Sequence, residues 1–171
     1  MKSDEVNKLI IQYSSPGFIE SGLFRVKGKT SRWIGKAGKF TYKAFFGLGP
    51  KGGFVKGFGG NLTLDIIMIN DDAKEIDDWG SWIFYPDYLE DDDIQDCVNI
   101  CLKLRGEKIF DSLRDPAPQF LKFGKYQRSL HQYNFYESND VMLWSSWVSN
   151  KIGKIVNGIN YRPIMVKDKI V

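Results

Sequence analysis

With 171 residues and 19.7 kDa, the chain is long enough for one domain with a proper core and too short for two. Hydrophobic residues at 43% and aromatics at 15% exclude disorder, while a single histidine, His131, and two cysteines, Cys97 and Cys101, exclude a disulfide framework and a four-ligand zinc site. Net charge is only +3, no apolar run approaches the roughly 18 residues of a membrane span, and Met1-Lys2-Ser3-Asp4-Glu5 is acidic where a signal peptide is basic, so a soluble cytoplasmic domain with no membrane partner is expected.

Acids in the first turn and one-sided Val6, Leu9, Ile10 and Tyr13 predict a helix over 4–13, ended by Ser14-Ser15-Pro16-Gly17. From Leu23 to Pro86 the period changes to two. Phe24 and Val26 alternate with Arg25 and Lys27, then Phe40, Tyr42 and Ala44 with Thr41 and Lys43, then Leu62, Leu64, Ile66 and Met68 with Thr63 and Asp65. Gly28, Gly35, Gly38 and the glycines of 47–60 read as turns, and Trp79 to Tyr85 as a further strand. Connections this short require antiparallel pairing. After Asp91-Asp92-Asp93 the period returns to 3.6. Ile94, Cys97, Cys101 and Leu104 predict a helix over 92–105, and Ile109, Phe110 and Leu113 another helical turn. Residues 119–137 read as short helices. Val141, Trp144, Val148, Ile152, Ile155 and Ile159 predict a helix over 140–157, capped by Ser138, Asn139 or Asp140 and ended by Asn157-Gly158, with a strand returning from Tyr161 to Val171. The expected fold is a single α+β domain, its antiparallel sheet at about residues 23–86 packed against N-terminal and C-terminal helices.

Charge is segregated along the chain. Residues 21–64 carry nine bases and no acid, whereas residues 65–96 carry twelve acids and one base, Lys74. Either the two blocks neutralise each other across neighbouring strands, or they face a charged partner. In the second reading the partner is another protein, and the contact surface comprises Asp77, Asp78, Trp79, Trp82, Tyr85, Tyr88, Asp91 and Asp92. Carboxylates there steer association and exposed rings anchor it.

Alternatively, the basic block interleaves with eight aromatics, a design suited to single-stranded nucleic acid, with Lys39, Lys43, Lys51, Lys56, Phe54 and Phe58 as contacts. Lys56-Gly57-Phe58-Gly59 echoes the opening of an RNA-recognition-motif strand, although Gly60-Asn61-Leu62-Thr63 then departs from that pattern. A third reading is a Mg²⁺-dependent nuclease or phosphoryl-transfer enzyme using Asp71, Asp72, Asp77 and Asp78. Against it, runs of Asp in turns commonly cap helices, and Asp91 to Asp93 stand where the next helix needs a cap. The glycine-rich stretch 47–60 lacks the Gly-Lys-Ser/Thr of a phosphate loop and opens no helical pattern. Cys97 and Cys101 share an apolar helix face and are expected as buried thiols, and His131 has no acid or nucleophile at a recognisable spacing. A binding role without cofactor is therefore expected over catalysis.

Four features in order resemble the DUF4304-type family of small bacterial proteins. They are the helix Glu5 to Tyr13 leading into Gly22-Leu23-Phe24-Arg25-Val26-Lys27-Gly28-Lys29-Thr30-Ser31-Arg32-Trp33, the strand Leu62-Thr63-Leu64-Asp65-Ile66, Trp82 with Asp87-Tyr88-Leu89, and Leu102 to Leu113. The resemblance covers about residues 4–125, with the glycine-rich insert at 47–60 outside the pattern. It implies a non-catalytic role, of the kind an immunity protein plays in inhibiting its partner.

Overall fold

Side-chain alternation between Phe24 and Ile83 builds one antiparallel sheet. The computed structural model describes residues 1–28, 30–37, 40–48, 60–71, 81–83, 85–105, 132–135 and 137–161. Its strands are β1 (Phe24–Arg25), β2 (Arg32–Ala37), β3 (Phe40–Leu48), β4 (Gly60–Asn70) and β5 (Ser81–Ile83), paired in that order. A further strand, β6 (Gln132–Phe135), pairs with β4 over Gly60–Thr63, next to the Ile66–Met68 stretch taken by β5. β5 and β6 thus share one edge of β4, while β3 holds the other. The helices are α1 (Ser3–Glu20), α2 (Asp91–Arg105) and α3 (Ser138–Tyr161), and a 3-10 turn covers Tyr85–Tyr88. The domain is α+β, as the change of period at Asp91 predicted.

One sheet face carries the core. Trp33, Tyr42, Ala44, Phe46, Leu62, Leu64, Ile66, Met68 and Ile83 are buried there against Val6, Ile10 and Phe18 of α1 and Val141, Trp144, Val148 and Ile152 of α3. Phe18, Trp33, Phe46 and Trp144 interlock with ring centroids 4.6 to 6.0 Å apart, tilted or edge-on, as ring quadrupoles favour. All six apolar positions that predicted the C-terminal helix are buried.

α1 departs furthest from its expected form. It does not stop at Ser14-Ser15-Pro16-Gly17 but runs on to Glu20 with Pro16 inside. Proline has no amide to return to the carbonyl four residues back, a defect of about 3 kcal/mol in an isolated helix. α3 offsets it. The Ser149 hydroxyl accepts from the Gly17 amide at 2.9 Å and donates to the Ser14 carbonyl at 3.1 Å, bridging the helix backbone around Pro16. Gly17 permits this approach because any β-carbon there would collide with the Ser149 carbonyl. The helix then ends on Gly22 at φ +82°. The Leu23 amide donates to the Phe18 carbonyl and the Gly22 amide to Ile19, which turns the chain into β1 with Leu23 buried.

Other expectations are corrected by long-range contacts. The C-terminal helix passes Asn157-Gly158 to Tyr161, because Ile159 is buried and Asn160 accepts from the Tyr42 hydroxyl at 2.6 Å. Residues 132–135, expected as helix, are recruited by the free edge of β4 as a strand. Gly35 and Gly47 lie inside strands, since the ladders pair them with Tyr42 and Thr63. The strand expected from Trp79 to Tyr85 is described over Ser81–Ile83, and Tyr85 opens the 3-10 turn. The 49–59 glycines, the turn near Ile109 and the strand after Arg162 lie outside the described residues, as does His131.

The three described helices begin alike. A carboxylate at the third helical position accepts the amide of the residue before the helix: Glu5 from Lys2 at 2.8 Å, Asp93 from Glu90 and Asp140 from Glu137, each at 3.0 Å. The acids expected to cap α2 and α3 therefore act from inside the first turn, and neither Asp91 nor Ser138 occupies the cap position.

Ser149→Ala is expected to leave the Gly17 amide unsatisfied in a closed helix contact and to cost about 1–3 kcal/mol. Gly17→Ala, which forces α1 and α3 apart, should cost more. Urea unfolding with an unchanged m-value checks both.

Candidate functional site

Helices cover one face of the sheet, and alternation sends every second side chain of the same strands to the other face. Strand register aligns part of that outer face into a single row. Phe24 stands opposite Ile34, Ile34 opposite Lys43, Lys43 opposite Ile67, and Ile67 opposite Trp82, one residue from each of β1 to β5. At strand spacings of about 4.8 Å the row is roughly 19 Å long. Four of its five residues are apolar. Phe24 is 73% exposed, Ile34 and Trp82 are each 37% exposed, and Ile67 forms part of the floor. Flanking rows hold Arg32 opposite Phe45, and Lys36 opposite Thr41. Phe45 stands edge-on to Trp82, ring centroids 5.9 Å apart and planes at 69°. Between them Val26, Ile34, Lys43, Phe45, Ile67 and Ile69 line a depression of about 420 Å³.

Electrostatics on this face are uneven. At one end Lys36 pairs with Asp71 at 3.2 Å and the Thr41 hydroxyl donates to the same carboxylate at 2.6 Å. Those hydrogen bonds, Thr41's first, hold the Asp71 carboxyl below the usual range. Half-buried Asp65 accepts from Thr63 at 3.0 Å. Arg32 and Lys43 are exposed and form no ion pair among the described residues.

The described members of the expected acidic contact surface lie on different parts of the fold. Trp82 lies on the outer sheet face. Tyr85 is fully buried, because with Trp82 outward the residue three positions on returns to the core. Tyr88 is half-buried against α3, close to Gly158. Asp91 and Asp92 are exposed in the first turn of α2, in the helical layer. Asp77, Asp78 and Trp79 lie outside the described residues. Of the nucleic-acid set, Lys43 is exposed on the open face, and Lys39, Lys51, Lys56, Phe54 and Phe58 lie outside the described residues. Three of the eight aromatics of the basic block, Trp33, Tyr42 and Phe46, are core. Sequence reasoning missed Ile34, Ile67 and Arg32; a strand over 32–37, with Ile34 and Arg32 on one face and Trp33 on the other, was the available signal.

Among the described residues no group of three or more His, Cys, Asp or Glu side chains is disposed to hold a metal. Asp71 is committed to Lys36 and Thr41, and Asp72, Asp77 and Asp78 lie outside the described residues. Cys97 is buried, as its helix face predicted. No described helix is long and apolar enough to cross a membrane.

Among the described residues the acidic block pairs more with α3 than with the basic strands. Asp93 is buried and accepts from Lys151 at 2.8 Å and Lys154 at 2.6 Å, and its own carbonyl accepts from the Trp147 indole. Lys36–Asp71 is the one ion pair between the basic and acidic blocks among the described residues.

No family model, curated protein or solved structure matches the chain, so the DUF4304-type resemblance rests on the residues that carry it.

Burial alone would raise the Asp93 carboxyl, but hydrogen bonds from Lys151, Lys154 and the Glu90 amide outweigh it and hold it at about 2. A depressed carboxyl stabilises the fold above its unfolded pKa near 4, and that stability is lost as pH falls toward 2. The pair of pKa values corresponds to about 2 kcal/mol at neutral pH. Asp93→Asn should therefore weaken the fold by about 2–4 kcal/mol at pH 7, and by much less at pH 2, in chemical unfolding across that range.

Proposed function

We propose that this domain is a non-catalytic protein-binding module whose contact surface is the outer face of its sheet, which no described helix covers. The observation that carries the reading is the cross-strand row Phe24, Ile34, Lys43, Ile67 and Trp82. Contiguous exposed apolar groups with polar neighbours are the usual mark of an interaction site on a soluble domain. Aromatic anchors beside an aliphatic floor, with Arg32 close by, match the composition of interface centres. The contact surface thereby moves from the acids of 65–96 to the sheet, while the kind of partner stays the same.

A second reading has one specific observation in its favour. Arg32 and Lys43 share this face with the rings of Phe24, Phe45 and Trp82, as single-stranded nucleic acid would require. The floor weighs against it. Ile34, Ile67 and Ile69 offer no stacking surface, and the Phe45 and Trp82 rings are engaged edge-on with each other.

Affinity capture from the source cells, with the wild type and two variants compared, tests the reading. Ile34→Asp should abolish capture of the partner protein, with a melting temperature within a few degrees of wild type because Ile34 is part-exposed. Asp91→Lys with Asp92→Lys should leave capture intact. The reverse pattern would return the contact to the acidic segment, and recovery of oligonucleotide lost steeply with salt would favour nucleic acid.

A further inference from the structure

The position of Lys43 restricts what can dock on this face, an inference that rests on the outer sheet face being the contact surface. Lys43 is the central member of the five-residue row, with Ile34 on one side and Ile67 on the other. Any partner that covers those isoleucines also removes the Lys43 amine from water. A lysine charge buried without a counter-charge is strongly unfavourable. Among the described residues the protein pairs no carboxylate with it. The nearby acid Asp71 is occupied by Lys36 and Thr41, Asp65 is engaged by Thr63, and Lys43 forms no ion pair among the described residues. Arg32, in the next row on the same face, adds a second cation in the same condition.

We infer that the partner presents an acidic amphipathic segment: apolar side chains spaced to meet Phe24, Ile34, Ile67 and Trp82, with a carboxylate between them that pairs with Lys43 and another within reach of Arg32. Apolar contact supplies the affinity, and the carboxylates fix register, since a segment shifted along the row leaves Lys43 buried and unpaired. A carboxylate fits better than a phosphate backbone because the groups flanking Lys43 are aliphatic and cannot stack on bases.

Selection of a displayed random 16-residue peptide library on the purified full-length protein tests this. Peptides enriched on the wild type should combine Asp or Glu with Leu, Ile, Phe or Trp. Their binding should be lost with Ile34→Asp and weakened at least tenfold by Lys43→Glu. Selection repeated on Lys43→Glu should yield Lys or Arg at the position the acid held. Thermal melts check that both variants fold, as expected for side chains outside the core. Peptides that need Ile34 but show no preference for acid, or are indifferent to Lys43→Glu, would overturn the inference and leave the contact face standing. Peptides indifferent to Ile34→Asp would overturn both. Displacement of the selected peptides from the face by a (dT)20 oligonucleotide at micromolar concentration would also overturn it, in favour of nucleic acid.

Discussion

A serine hydroxyl of α3 set against a proline in α1 fixes the relation of the two helices on which the sheet rests. Pro16 interrupts the α1 ladder, and Ser149 bridges the backbone across the interruption from 132 to 135 residues away in sequence. The bond forms only at close approach, which Gly17 permits and any larger residue would prevent. Because α1 continues beyond Pro16, Phe18 reaches the Trp33 and Phe46 rings, and Leu23 enters the core just before the first strand. At the other end of α1, Asn7 accepts from the Ser31 hydroxyl at 2.6 Å and from its amide at 3.2 Å, which ties the helix to the entry of β2. Without the helix pair, neither the inner face of the sheet nor the aromatic cluster would be closed.

That arrangement leaves the sheet asymmetric. An antiparallel sheet can be covered on one face and open on the other, and here α1 and α3 take the inner face. A solvated face is ordinarily polar. This one alternates cations with apolar groups, and its most exposed described ring, Phe24, adds nothing to the core. Exposed apolar surface in a contiguous row is unfavourable in a monomer unless something uses it. The function proposed for the domain follows from that imbalance.

Charge segregation has a structural part and a residual part. Asp93 is absorbed by Lys151 and Lys154, and Asp71 by Lys36 and Thr41, so some of the acidic block fastens elements together. Neutralisation between the blocks, the simplest reading of the sequence, accounts for Lys36 but not for Arg32 or Lys43. The same outward alternation that exposes Ile34 also exposes these two cations, so charge and apolar surface arrive on one face together.

Local periodicity was legible in the longest elements. The spacing of Val141, Trp144, Val148, Ile152, Ile155 and Ile159 determined α3, the alternation around Leu62 to Met68 determined β4, and the return to period 3.6 after Asp91 determined α2, because backbone geometry fixes those repeats residue by residue. The reach of α1 past Pro16, the recruitment of 132–135 to the β4 edge, and the burial of Tyr85 beside an exposed Trp82 were decided by tertiary structure. So was the row from Phe24 to Trp82. Its members come from five strands, and no local pattern states which residue of one strand stands opposite which of the next. Register across β1 to β5 is a long-range property, set when α1 and α3 claim one face and each strand slides to bury its matching side chains.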